Sequence, residues 1–229
     1  MLSIAAGSAL CQETAAPPDE AIPAAGHAEP PPKSHILGVI PNYRSTPMPN
    51  PYLPLTARGK LKIASEDALD PGTFTQAAAF AGLGQITNAN RSYGQGVAGF
   101  ARYFGSSCGD LIIGDYLTEG IYPVLLHQDP RYFQKGTGTG WSRFRYAALQ
   151  IFETHHDSGA MQFNYSEVLG NATAVAISTS YYAANRSVGD AVSKFGTQLG
   201  VDMAGNILKE FWPDLQRKLN KKKHAHDAH

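Results

Sequence analysis

From residue 56 onward, apolar side chains recur at steps of three and four, the spacing that lines one face of an α-helix. Thr56 stands where an N-cap belongs, and the run over 57–68 carries Leu61, Ile63, Ala64 and Leu69 as its inward set. Asp70-Pro71 ends that helix and opens the next, because a proline in the first turn lacks only an N–H that would go unused. The second helix covers about 72–90, with Phe74, Ala78, Phe80, Ala81 and Ile86 inward. A third, about 94–125, carries Val97, Phe100, Ala101, Phe104, Cys108, Leu111, Ile112, Tyr116, Ile121 and Leu125, and Pro123 kinks or cuts it near its end. Further helices fall over 141–156, 164–184 and 186–211, the second of these capped by Asn164 or Ser166. The chain then meets Trp212-Pro213, where a helix should stop. No stretch alternates with period two over a useful length, and no Asn-Gly or Asp-Gly hairpin signal occurs. The pattern predicts an all-α protein, a compact bundle of about five to six helices.

Ahead of Thr56 the pattern fails. Residues 12–34 are rich in Ala, Pro and Glu and cannot bury enough apolar surface to fold, so they read as a disordered linker. Ile36-Leu-Gly-Val-Ile40 is a short apolar run, after which Pro41, Pro47, Pro49, Pro51 and Pro54 oppose regular structure. Residues 35–54 are therefore expected to be an extended arm across the domain, anchored by Ile36, Val39, Ile40, Tyr43 and Tyr52. A single helical domain over 35–219 and a disordered, basic, His-rich tail over 220–229 complete the organisation.

Glycines punctuate the helices, among them Gly82, Gly84, Gly99, Gly105, Gly109, Gly196, Gly200 and Gly205. Each costs a helix interior about 1 kcal/mol relative to alanine, and close helix approach is the gain that would offset it. Gly196 and Gly200 share a face, a spacing best known from membrane helices and a candidate contact for a homo-oligomer. Residues 71–90 and 168–185 lack formal charge and reach the length of about 18–20 residues that spans a bilayer. They also contain Gln76, Gln85, Asn88, Asn171 and Ser178, and a mean hydropathy of −0.24 favours a soluble or surface-associated bundle. A small helical integral membrane protein is the alternative.

The 229 residues are 43% hydrophobic, enough for one good core and hence one domain. Lys+Arg and Asp+Glu are 19 each, so no global field points to nucleic acid. The balance breaks near the C-terminus, where Lys218, Lys221, Lys222 and Lys223 are candidates to meet anionic lipid or lipopolysaccharide. Residues 1–11 read as a signal-peptide remnant, with Ala9 and Cys11 at the −3 and −1 positions of a cleavage site and no basic n-region. Acylation of Cys11 is the lesser alternative, since Leu10 sits where a lipobox wants Gly or Ala. With Cys11 removed, Cys108 is left alone in Gly105-Ser-Ser-Cys-Gly109, which suits a packed thiol better than a nucleophile.

Candidate chemistry concentrates in His127-Gln-Asp-Pro-Arg-Tyr-Phe133 and in Glu153-Thr-His-His-Asp-Ser-Gly159. His127 with Asp129 or Asp157 has the makings of an oriented general base. His127, Asp129, His155 and Asp157 together have the donor types of a metal shell, although their spacing matches no metal motif. Against both stands a structural reading: Asp129 before Pro130 caps a turn, Arg131 ties loop carbonyls or a carboxylate such as Asp157, and Tyr132 and Phe133 plug the bundle end. Lys135-Gly-Thr-Gly-Thr-Gly140 lacks the strand and the terminal lysine of a phosphate loop and reads as a flexible connector. His224, His226 and His229 are weak metal candidates in the tail. No residue points to an organic cofactor.

Asp70-Pro-Gly-Thr-Phe74, Tyr93-Gly-Gln-Gly96, Leu125-Leu-His-Gln-Asp-Pro-Arg-Tyr-Phe133, Asp157-Ser-Gly159, Phe163-Asn-Tyr-Ser-Glu-Val-Leu-Gly170 and Leu208-Lys-Glu-Phe-Trp-Pro-Asp-Leu215 together resemble a family of secreted bacterial proteins common in acidobacteria. The resemblance covers roughly 36–219 and implies a signal peptide and an envelope location, with no established activity. Arginine usually stands at the position of His155 in that family, and the position of His156 is not histidine, which counts against a metal site on this pair. The expected function is a non-catalytic, exported cell-envelope protein, periplasmic or associated with the outer membrane. A hydrolase or metal-dependent enzyme centred on His127, Asp129, Arg131 and Asp157 is the alternative in catalysis.

Overall fold

In a computed structural model of the chain, which describes residues 26–32, 34–38, 40–42, 44–181 and 187–226 (220–226 through the backbone alone), helices dominate but do not stand alone. Residues 1–11 with Cys11, most of the 12–34 linker, Val39, Tyr43 and His229 lie outside the described residues, as do the side chains of Lys221, Lys222, Lys223, His224 and His226. Helix α1 (Ala57–Ala68) starts at Thr56, whose hydroxyl accepts from the Gly59 N–H. Asp70 caps α2 (Pro71–Ile86) by accepting from Gly72 N, with Pro71 in the first turn. A single 3-10 turn at Arg91–Tyr93 leads into α3 (Gly96–Asp115). Asn164 caps α6 (Tyr165–Ser178) by accepting from Glu167 N. These starts lie where the capping residues put them, because a cap is a local bond between neighbours in sequence.

The third helix does not simply kink at Pro123. It widens into a π turn over Tyr116–Ile121 and resumes as the short α4 (Tyr122–Leu125), with the Tyr122 N–H reaching back to Leu117 O. The wide turn absorbs the missing proline N–H, presses Gly120 against Ala64 and Leu61 of α1, and carries Glu119 into the interior. A Cβ at Gly120 would lie 3.1 Å from the Ala64 Cβ, and one at Gly170 would lie 2.7 Å from Thr118 Cγ2. Close approach through glycine thus joins the π turn to α1 and α6. It does not occur at Gly196, Gly200 or Gly205, where an added Cβ meets nothing within 4 Å.

Two helix ends depart from expectation. The helix expected over 141–156 is α5 (Gly140–Leu149), and the chain beyond it turns into a β hairpin. The last helix, α7 (Val188–His226), runs straight past Trp212-Pro213. Pro213 has no N–H for Lys209 O, four residues back, and Gln134 Nε2 donates to that carbonyl instead at 2.8 Å. Arg143 Nη2 likewise reaches Glu210 O at 2.5 Å. The substituted bonds let the helix continue where local rules end it.

The all-α expectation also missed three small sheets. Strands β1 (His35–Ile36) and β2 (Ile40–Pro41) pair antiparallel. Strands β3 (Ser45–Pro47) and β4 (Tyr132–Gln134) pair parallel, with Thr46 opposite Phe133. Strands β5 (Glu153–His155) and β6 (Met161–Phe163) form the hairpin after α5. Strands of two or three residues are too short to show alternation, and their partners can lie far away in sequence. The arm over 35–54 is consequently a paired element tied to the loop that follows α4.

The largest surprise is which side of each helix faces in. Part of the bulk read as core is exposed, Leu61 on α1 (41%), Ile86 on α2 (85%) and Val97 on α3 (89%), with Leu69 just past α1, whereas Ile63 and Ala64 of α1 and Ala81 of α2 are buried as expected. Most of the sealed positions are small or polar: Gly72, Thr73, Ala77 and Ala81 on α2, Gly99, Ser107 and Gly114 on α3, and Gly170, Asn171, Ala174 and Ser178 on α6, with Tyr103 and Val175 sealed beside them. Ile36, Leu55, Ile63, Phe133 and Ile151 form much of the conventional apolar core. Of the other arm anchors, Ile40 is half-buried and Tyr52 lies against the 127–133 loop.

Candidate functional site

The distinctive loop after α4 is built on exchanged backbone bonds between 127–129 and 155–157. Asp157 N donates to His127 O at 2.9 Å and Asp129 N to His155 O at 2.8 Å. This pairing turns the Asp129 carboxylate inward, where it is fully spoken for. Oδ1 accepts from Arg131 N and Nε, at 2.9 and 3.0 Å, and Oδ2 from Tyr52 OH and Arg131 Nη2, at 2.7 and 2.6 Å. Arg131 Nη2 also reaches Leu53 O at 2.7 Å, and the guanidinium lies 5.1 Å from the Phe133 ring centre. Both charged side chains are buried. Burial works against the Arg131 charge, but the bonds and charge of Asp129 hold its pKa above the ordinary value. Burial followed by the Asp129 charge pushes the Tyr52 phenol well up. The unit is a clasp between the arm and the loop.

His155 belongs to the same block. It stacks on Tyr52 at 5.8 Å and meets Phe133 edge-on at 5.0 Å. Burial, helped by Arg131, lowers its pKa, so the ring is a neutral core imidazole. His156 Nδ1 is taken by Ser158 N and lies 3.0 Å from Ser158 Oγ, a local turn. His127, with φ of 53°, is 71% exposed and sits 3.6 Å from Asp157 Oδ2. Asp157 is held by Lys60 Nζ at 2.7 and 2.8 Å, not by Arg131 as the sequence reading allowed. The four-residue metal shell therefore does not assemble. Among the described residues no group of three or more His, Cys, Asp or Glu is placed to hold a metal ion. What remains of the catalytic candidates is an exposed imidazole beside a carboxylate already paired with Lys60. Cys108 on α3 is a free, half-buried thiol that burial pushes up, as a packed cysteine should be.

The Lys135–Gly140 loop is not a loose connector. Glu210 of α7, fully buried, accepts from Lys135 N and Gly136 N at 2.9 Å each, from Tyr132 OH at 3.0 Å and from Arg143 Nε at 2.7 Å. Arg143 continues to Asp214 and lies 4.6 Å from the Phe211 ring centre. The amides that would cradle a phosphate are occupied by a side-chain carboxylate of the same chain. No spacing rule pairs Glu210 with residues some seventy positions earlier, so sequence reasoning missed this hub.

It also missed the second feature, a cavity of about 520 Å³ between α1, α2, α3, the π turn and α7. Its deep end carries Asp67, Asp115, Glu119 and Asp202 beside Arg44 and Lys209. Arg44 Nε stands 2.8 Å from Glu119 Oε1 and 4.0 Å from Asp67 Oδ2. Behind this wall Asn171 Nδ2 bridges Glu167 Oε1 at 3.0 Å and Asp202 Oδ2 at 3.2 Å. Burial first, then neighbouring carboxylates, raises Asp115 and Glu119 well above the ordinary range, and Asp202 is raised by burial. Glu167 is pushed up to about 8 by burial and the Asp202 charge. Lys209 is lowered by burial and by Arg44. A usable signal was present: Asp115 and Glu119 form a like-charged i,i+4 pair, unfavourable on a free helix face.

The raised carboxylates set a pH dependence. Glu167 binds a proton more tightly in the folded state, near 8, than at its ordinary value of 4.5, so its contribution to stability is complete below 4.5 and is lost as pH rises through 8. The groups around it are Asp202, Arg44 and Lys209. Urea unfolding should show about 2–4 kcal/mol more stability at pH 5 than at pH 8. Glu167→Gln should flatten that slope, and an unchanged slope in this variant would reject the assignment.

No protein-family model, no curated protein and no solved structure matches this chain.

Proposed function

We propose that this is a non-catalytic protein of the cell envelope, exported and held at an anionic lipid surface by outward-facing aromatic and basic side chains. The observation that carries this reading is the outward placement of bulky apolar residues, which a free surface does not reward. On α5, Trp141 (71% exposed) stacks on Phe144 with ring centres 5.4 Å apart. Near it in sequence, exposed Phe152, Phe163 and Tyr165 form a second stack. Arg143 fastens α5 to Asp214 of α7, and one turn further along α7 stand exposed Arg217 and Lys218 with Leu215 and Leu219. The basic run continues in sequence through Lys221, Lys222 and Lys223. Aromatic rings beside cationic side chains suit the boundary between headgroups and acyl chains.

No helix among the described residues is long and apolar enough to cross a membrane, so the contact proposed is interfacial. Asp129 and Arg131 are committed to each other, and the remaining pair at the loop, exposed His127 3.6 Å from Asp157, has its carboxylate already bonded by Lys60, which supports an interaction role over hydrolysis. Purified protein should float with vesicles containing phosphatidylglycerol and stay behind with pure phosphatidylcholine, and salt should weaken the binding. Trp141→Ser combined with Phe144→Ser should reduce partitioning by about tenfold or more. Failure to float with the anionic vesicles at low salt would overturn the reading, as would recovery of the native protein from the cytosol.

A further inference from the structure

We infer that the cavity between α1, α2, α3, the π turn and α7 is a binding site for a small hydroxylated primary amine, its ammonium group received by the acidic floor at Glu119, Asp115 and Asp202. The volume of about 520 Å³ falls in the range of small-molecule sites and far exceeds what a single ion fills. The wall carries six carboxylates, Asp67, Asp110, Asp115, Glu119, Asp190 and Asp202, against three cations, Arg44, Lys194 and Lys209. Of the wall's own cations, Arg44 lies against Glu119 and Asp67, Lys194 Nζ bonds Asp110 Oδ2 at 2.8 Å, and Lys209 lines the same wall. A formal deficit of positive charge is left, and buried carboxylates at such a deficit take up either protons or a cation.

Besides Arg44 Nε, two unpaired buried polar atoms on this wall bear on what the occupant must offer. Glu119, 1% exposed, has its Oε2 without a hydrogen-bond partner, and this acceptor calls for an N–H or O–H donor. Asn90, fully buried on the same wall, has its Nδ2 without a partner, and this donor calls for an oxygen. Leaving such a group unpaired costs about 1–3 kcal/mol, which a ligand satisfying it would recover. Thr73, Gln76, Thr87, Ser107, Thr197 and Gln198 line the space between, matching hydroxyls along the ligand. Phe80, Leu83, Leu111 and Val201 line it as well and would face the carbon chain of such a ligand. This inference is independent of the proposed lipid contact, which uses α5 and the end of α7.

The probe is 1-amino-1-deoxysorbitol, compared with sorbitol, which has the same chain of hydroxyls and no charge. Isothermal titration at pH 6.5 should show the amine binding at least tenfold more tightly than sorbitol. Glu119→Gln should remove most of that difference. Thr197 is exposed at the rim, so Thr197→Trp should block entry while leaving the circular dichroism spectrum and Tm unchanged. Where Glu119→Gln does not fold, Thr197→Trp decides. Absence of amine binding, equal affinity for amine and sorbitol, or full binding by folded Thr197→Trp would each overturn the inference.

Discussion

Glu210→Ala should lower the unfolding free energy by about 3–5 kcal/mol, one of the two largest effects expected of a single substitution in this chain. The carboxylate receives four donors from three parts of the chain: two loop amides at Lys135 and Gly136, the Tyr132 hydroxyl and the Arg143 guanidinium. Its removal leaves a buried arginine with less countercharge and the donors without acceptors, and each unsatisfied group carries its own desolvation penalty. Set against a typical net stability of about 5–15 kcal/mol, the loss is large. Glu210→Gln keeps acceptor oxygen but removes the charge, so it should fall between the two. Urea titration followed by fluorescence is well placed to read this, because Trp141 and Trp212 lie either side of the hub in sequence, next to Arg143 and Glu210. A loss under about 1 kcal/mol for the alanine variant would mean that Arg143 and the loop find other partners.

Arg131→Met should cost a similar amount, about 3–5 kcal/mol, for the complementary reason. It strands the Asp129 carboxylate, fully buried, with Tyr52 OH as its one remaining side-chain donor besides the Arg131 backbone N–H. Replacing both partners, Asp129→Leu with Arg131→Met, should recover much of the loss, since two apolar side chains need no partner in a dry site. The double-mutant cycle separates the pair's coupling from packing against Tyr52 and Phe133. Thermal unfolding of the four proteins supplies the test. If the single variants unfold near the wild-type temperature, the clasp is not what holds the arm over 35–54 to the loop.

These two networks show how much of the site could be read from the residues alone. Asp129-Pro130-Arg131 was legible as a turn clasp because its components are neighbours, and the inward cap of Asp129 on Arg131 N is a local bond. Tyr52 as a third member was not, since it approaches from an arm that the prolines made look irregular. Glu210 and Arg143 carried no local signature of pairing at all. The metal grouping of His127, Asp129, His155 and Asp157 failed for a geometric reason. The backbone pairing of 127–129 with 155–157 sends Asp129 and His155 to the buried side and leaves His127 and Asp157 on the other.

The sequence by itself determined where helices begin: Thr56, Asp70 and Asn164 cap them through bonds spanning two or three residues, and no distant contact is needed. It determined the periodicity of α1, α2 and α3 and, in Ile63, Ala64 and Ala81, part of the buried face, but not that Leu61, Ile86 and Val97 turn outward. A stripe of glycine, alanine and serine repeats at the same angle as the stripe of leucine and phenylalanine opposite it. Periodicity therefore names two faces without choosing between them. Close approach on the small side of α2 shows at Gly84, where a Cβ would lie 2.9 Å from the Tyr103 ring of α3. The tertiary structure could place Asp115, Glu119 and Asp202 inside because Arg44 and Lys209 arrive from distant parts of the chain. Likewise α7 outlasts Pro213 because Gln134 supplies the bond the proline cannot and Arg143 bonds the next carbonyl. Local chemistry set the starts of the elements, while their facing, their buried charge and the cavity among them depend on partners that are neighbours only in the folded protein.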